Sequence, residues 1–261
     1  MLWKALRIVV LLIVLAIVAF YAKTQKLQAQ SWSDPLEVVI YPINADHSSN
    51  AESYIKELDD SVFSPIDAFL QQQSRIYGVI NSHLSQTRLG PVITNLPPEA
   101  PKPDAGLPAI VWWGLKFRYW ASQNTPDDES NHHRVRVFVH YHDAIPGRKL
   151  QHSLGLDKGL LSVVHAFADL DQDQQNNIII AHELLHTVGA TDKYDAHGEP
   201  AFPNGYADPS RSPLLPQAKA EIMAVRLPLT ETTSRMPESL KESAIGELTA
   251  REINWLKAPD N

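Results

Sequence analysis

The sequence predicts an α+β fold, a mixed sheet with a motif helix and a C-terminal helix, behind one N-terminal transmembrane helix. Three observations carry this. β-branched and aromatic runs recur before residue 170, a helical run at 174–188 follows them, and an unbroken apolar run opens the chain. With 261 residues, 44% of them apolar and 20% charged, the chain can bury a core without covalent staples. Its net charge is −7, with both signs mixed along the sequence, so there is no basic stripe of the kind a nucleic-acid binder needs. Cysteine is absent. Disulfides, thiolate metal sites and a cysteine nucleophile are therefore excluded, and any metal must be held by His, Asp or Glu.

The apolar run extends from Ile8 to Ala22, preceded by Lys4 and Arg7 and closed by Lys23 and Lys26. If the two leading basic residues snorkel, residues 1–24 reach the length of a membrane anchor. A cleavable signal peptide is the alternative, although no small-residue cleavage pattern follows the run. Basic residues slightly favour the N-terminal side, which puts the N-terminus inside and the rest of the chain outside the cytoplasm. Residues 25–33 are polar and read as a linker, leaving 34–261 as the domain.

Leu36 to Tyr41 reads as a first strand ended by Pro42. Ala51 to Tyr77 has helical spacing (Tyr54, Ile55, Leu58, Val62, Ile66, Phe69, Leu70) and a break near Ser64-Pro65. Five prolines make Asn95 to Pro108 a loop. Ile110 to Trp120, rich in aromatics, reads as a strand; a hairpin-like connection, Thr125 to His133, joins it to a strand at Arg134–Tyr141. Leu160 to Ala168 is a further strand. Asp169, Asp171 and Asp173 then offer helix caps rather than a calcium loop, because the glycine and distal glutamate of such a loop are missing. Gln174 to Val188 is the motif helix. A stretch rich in Pro, Gly and Asp runs on to about Ala220, and Glu247 to Leu256 closes the chain as a helix with Ile253, Trp255 and Leu256 available for packing.

The motif helix carries the chemistry. His182 and His186 are four residues apart and so project from one helical face, where two imidazoles can bind one zinc ion. Glu183 is placed as general base for the water that the zinc activates. Gly189 can end the helix in a left-handed turn, which returns Asp192 towards the metal as a third ligand. The chance of meeting all these residues at these spacings is on the order of one in ten thousand. Asp195, His197 and Glu221 are rival third ligands. His140, His142 and Asp143 form a candidate second metal site, with surface histidines as the simpler account.

His182-Glu183-x-x-His186-x-x-Gly189-x-x-Asp192 resembles the extended zinc motif of metzincin metallopeptidases, in the snapalysin-type variant with Asp as third ligand. The resemblance covers roughly Leu160 to the C-terminus. It implies a zincin-like catalytic domain with a Met-turn beneath the metal, which Glu221-Ile222-Met223-Ala224 matches, and Met223 as a supporting residue. It also implies that Leu160 to Ala168 is the edge strand along which a peptide substrate lies. Some members place a metal-reaching Tyr two residues after the Met; here Val225 stands there, and Tyr194 and Tyr206 are the candidates for stabilising an oxyanion. The expectation is a membrane-anchored zinc metallopeptidase acting on a protein or peptide outside the cytoplasm. Its alternatives are an anchored binding protein with a structural zinc and a zinc hydrolase of non-peptide amides.

Overall fold

The computed structural model describes residues 3, 7, 9, 12, 13, 20, 23–25, 27–101, 104–125, 134–148, 150, 153–156 and 160–257. The expected anchor at 1–24 lies largely outside them, as does the connection 126–133. No helix among the described residues is long and apolar enough to cross a membrane.

A five-stranded sheet forms the centre. Its strands are β1 (Leu36–Asn44), β2 (Ser85–Leu89), β3 (Val135–Asp143), β4 (Leu154–Leu156) and β5 (Leu161–Ala168), in the order β2-β1-β3-β5-β4. The first four in that order run parallel, and β4 is antiparallel to β5. β1 and β3 are buried along most of their length because both faces of the sheet are covered. Register places Val38 opposite Val135 and His140 opposite His165.

One face packs on α1 (Ser49–Glu57), α2 (Ser64–Ile76) and the motif helix α4 (Asp173–Thr187), with α5 (Glu247–Glu252) and the turn at Met223 completing that core. The expected helical stretch and its break are borne out. Ser48 caps α1 by accepting from Ala51 N, and Pro65 sits in the first turn of α2, where its missing N–H costs nothing. The opposite face is covered by α3 (Leu107–Asn124), through Trp113, Phe117 and Ala121 against Tyr41, Phe138 and Leu161.

α3 corrects the sequence reading in two ways. Ile110 to Trp120 is helix, not strand. Its aromatic content suggested a strand, but Trp113, Phe117 and Ala121 are buried at four-residue spacing, a helical period. As a crossover between β2 and β3, α3 also makes the domain a layered α/β fold with parallel strands rather than a segregated α+β one. β2 and β4 were not anticipated: each is short, and β2 is polar.

The polar residues read as a linker are in part docked on the domain. Ala29 and Trp32 are buried. Trp32 packs edge-on against Trp255 at 5.6 Å and donates from Nε1 to Ile253 O at 2.7 Å. Gln30 Nε2 donates to Val188 O, at the end of the motif helix, at 2.6 Å.

Strand β5 is also not the sheet edge expected of it. β4 pairs with its first half, Ser153 Oγ accepts from His165 N at 3.1 Å, and Asn176 closes the rest. The Asn176 amide accepts from Phe167 N at 3.3 Å and donates to Phe167 O at 2.9 Å. This two-point clamp fixes α4 against β5, and β4 is the outermost strand on that side.

Candidate metal centre

The motif helix ends as its glycine predicts. Gly189 has φ +106, its N–H reaches His186 O at 3.0 Å, and Ala190 N reaches Leu185 O at 3.0 Å. These two bonds form a Schellman turn, which satisfies the last helical carbonyls and reverses the chain. The reversed chain returns twice to the site. Ala190 O accepts from His186 Nδ1 at 2.8 Å, and Asp192 Oδ1 comes to 3.0 Å from His186 Nε2 and 3.3 Å from His182 Nε2.

His182 is fixed from the other side, where its Nδ1 meets Ile222 O at 3.1 Å. A carbonyl only accepts, so in both histidines Nδ1 carries the proton and Nε2 presents a lone pair. The two Nε2 atoms are 3.0 Å apart. Two lone pairs and a carboxylate oxygen therefore converge on one point, which is unfavourable unless a cation shares it. Tetrahedral zinc with bonds of 2.0–2.1 Å separates its ligand atoms by about 3.3 Å. The donor set and its spacing fit a metal ion, and among the described residues only these three side chains make such a group.

The charge distribution agrees. Burial lowers the affinity of His186 for a proton, but hydrogen bonds to Asp192 and Ala190 outweigh it and raise its pKa above the ordinary value. Burial alone would raise the pKa of Asp192, yet the two histidines hold it far below the usual carboxylate range.

Glu183 is buried and faces the same cleft, a cavity of about 400 Å³ that reaches His182, His165, Phe167, Tyr194, Val225 and Met236. Tyr194 lies over His182 with ring centroids 6.5 Å apart and nearly parallel planes. Burial first, then the Asp192 charge and a hydrogen bond to it, push the Tyr194 phenol up to about 12. It is therefore a proton-bearing donor at neutral pH. Tyr206 lines a different depression with Tyr77 and Arg251 and packs on Phe202, away from the triad.

The turn beneath the site holds Met223, fully buried, in a single 3-10 turn (Ile222–Ala224) that ends at Val225 with φ +63. A β-branched residue in the left-handed region is strained. Glu221 secures the turn. Its Oε2 accepts from Met223 N at 2.5 Å and Ala224 N at 3.1 Å, and its Oε1 accepts from Gly246 N at 3.1 Å and Thr249 Oγ1 at 2.6 Å. The rival ligand role for Glu221 is thereby ruled out, since both oxygens are committed to structure. Asp195 instead caps its own turn by accepting from His197 N and Glu199 N, and His197 does not join the triad either.

His140, His142 and Asp143 do not form a second site. Asp143 accepts from Asn50 Nδ2 at 2.8 Å. Nor are they surface histidines. His140 is buried with its ring edge-on to His165 at 4.9 Å, and His142 Nε2 shares a hydrogen with His165 Nδ1 at 3.0 Å. Burial pushes His140 down to about 3 and His165 to about 4, so these rings are neutral. Asp169 caps the turn before α4 by accepting from Asp171 N, as expected.

Sequence reasoning missed Lys193, Glu252 and Asn176, which position the site from outside the motif. Nothing in their spacing marks them. Comparison with protein-family models and with curated proteins finds no match to this chain.

Proposed function

We propose that the chain is a zinc-dependent peptidase, held at a membrane by residues 1–24 with its domain on the extracytoplasmic side. The observation that carries the reading is the convergence of three Lewis-base atoms beside a buried carboxylate, on the wall of an open cleft. His182, His186 and Asp192 would hold the metal. Zinc so held supplies a Lewis acid for a carbonyl and makes water more acidic.

Glu183 takes the proton of the attacking water and returns it to the departing amine nitrogen. Tyr194 donates from its phenol to the oxygen that gains negative charge. Ile222 O and Ala190 O keep both imidazoles in the tautomer a ligand needs. Met223 and Glu221 hold the carbonyl of Ile222 in place. The cleft walls at Phe167, Val225 and Met236 are apolar and favour substrates with a large apolar side chain. β4 is the strand against which an extended peptide would lie.

A peptide-library digest by the wild-type chain and by Glu183→Gln, with zinc content measured on both, tests this. The expected outcome is cleavage by wild type and loss of cleavage with zinc retained in Glu183→Gln. Zinc bound equally by both with no peptide cut by either would leave a structural metal site and end the peptidase reading.

A further inference from the structure

α3 is buried on one side only. Trp113, Phe117 and Ala121 lock it to the sheet, which fixes the opposite side outward. That outward side is apolar. Leu107, Val111, Leu115 and Tyr119 form a row at four-residue spacing, flanked by Ile110 and Trp112, and these six side chains are 44% to 77% exposed. The row is about 18 Å long at the helical rise. Exposed apolar surface of this extent on one element marks a contact surface.

Its chemistry selects the occupant. The helix contains no Asp or Glu, and Lys116 stands exposed beside the row, although the chain as a whole carries −7. Trp and Tyr rings with an apolar body and a polar edge, next to a lysine, suit the boundary between acyl chains and anionic headgroups. The apolar run Ile8–Ala22 ends seven residues before the buried Ala29. Seven residues span at most about 25 Å even when extended. If that run is inserted in a bilayer, as proposed above, the tether brings the domain within reach of the bilayer surface.

We infer that α3 lies in the interface of an anionic membrane, with the row from Leu107 to Tyr119 sunk among the acyl chains, giving the domain a second contact besides its N-terminal segment. This inference rests on the anchoring part of the proposed function but not on its chemistry. With two contacts, the domain is held in one orientation to the bilayer instead of swinging on its tether.

The test uses the full chain in vesicles of phosphatidylcholine and phosphatidylglycerol. Because the chain has no cysteine, single variants can be labelled uniquely with a polarity-sensitive fluorophore. Leu115→Cys and Tyr119→Cys report on α3, Ile13→Cys on the N-terminal run, and Glu57→Cys, exposed on the opposite side of the sheet, serves as control. The expected result is a blue shift at 115 and 119, with emission lost when the lipid acyl chains are brominated, and neither change at 57. Labels at 115 and 119 that stay in water overturn the inference. So do labels that are shielded but not quenched by brominated lipid, since a protein surface would then cover the helix. Quenching at 13 without quenching at 115 keeps the anchor and removes this inference; quenching at 115 without quenching at 13 supports α3 and removes the anchor.

Discussion

Lys193 and Glu252 meet in a largely buried ion pair, Nζ to Oε2 at 2.7 Å, one residue beyond the third member of the metal triad. The same carboxylate accepts from Thr191 N at 3.0 Å and from Thr191 Oγ1 at 2.6 Å. Both neighbours of Asp192 are thus fastened to α5, and Asp192 is held between two anchored residues. Glu252→Gln keeps the shape and removes the charge that Lys193 needs. Leaving a buried charge unpaired costs about 3–5 kcal/mol. Loss of support for a ligand typically weakens metal binding about 10–100-fold. Thermal melts should show the first, and competition with a zinc chelator the second. An unchanged zinc affinity in a folded variant would mean that Glu252 stabilises the domain without positioning Asp192.

The clamp between Asn176 and Phe167 sets the distance between α4 and β5. Asn176→Ala leaves the part-buried N–H and C=O of Phe167 without this partner, at about 1–3 kcal/mol each. Denaturant unfolding of the metal-free protein should show a loss of about 2–6 kcal/mol. A loss below about 0.5 kcal/mol, the size of an ordinary surface substitution, would show that the clamp contributes little.

The buried histidines make stability depend on pH. His140 titrates in the fold at about 3 and His165 at about 4, against an ordinary value of 6.5. Both fold only in the neutral form, so the unfolded chain takes up protons first as pH falls. Their contribution is complete above about pH 6.5 and declines as pH drops from there towards 4. With a chelator present, the wild type should lose stability between pH 7 and pH 5. His140→Leu should lose about 1–2 kcal/mol less over that interval. Identical losses in the two proteins would contradict the assignment.

Tyr194 is the phenol that the cleft brings to the triad, and it keeps its proton at neutral pH. Tyr194→Phe removes one donor from the oxygen that becomes charged, and kcat should fall roughly 10²-fold. Zinc content and KM should change little. Unaltered turnover would remove Tyr194 from the chemistry and leave it as a neighbour of Asp192.

The motif helix was legible because its signal is local. His182 and His186 share a face by spacing alone, and Gly189 announces the turn that its φ of +106 confirms. Asp192 follows from that turn. Glu221 and Met223 were visible as a motif, but the role of Glu221 depends on Gly246 and Thr249, more than twenty residues away. α3 was misread because it is apolar nearly all round: one side meets the sheet and the other side is exposed, so the helical period is blurred. The place of β5 inside the sheet could not be read either, since β4 is three residues long and Asn176 closes the strand from a helix. His165 joins His140 only through strand register, which the sequence does not display.

The central claim is that His182, His186 and Asp192 together hold a metal ion. Its most direct test is the zinc content of the purified chain beside His186→Ala and Asp192→Ala, each confirmed folded by circular dichroism. About one zinc per chain is expected for wild type. Next to none is expected for His186→Ala, and a much weaker, chelator-labile zinc for Asp192→Ala. A folded wild-type chain that takes up no divalent metal, or one whose zinc is unaffected by either substitution, would contradict it.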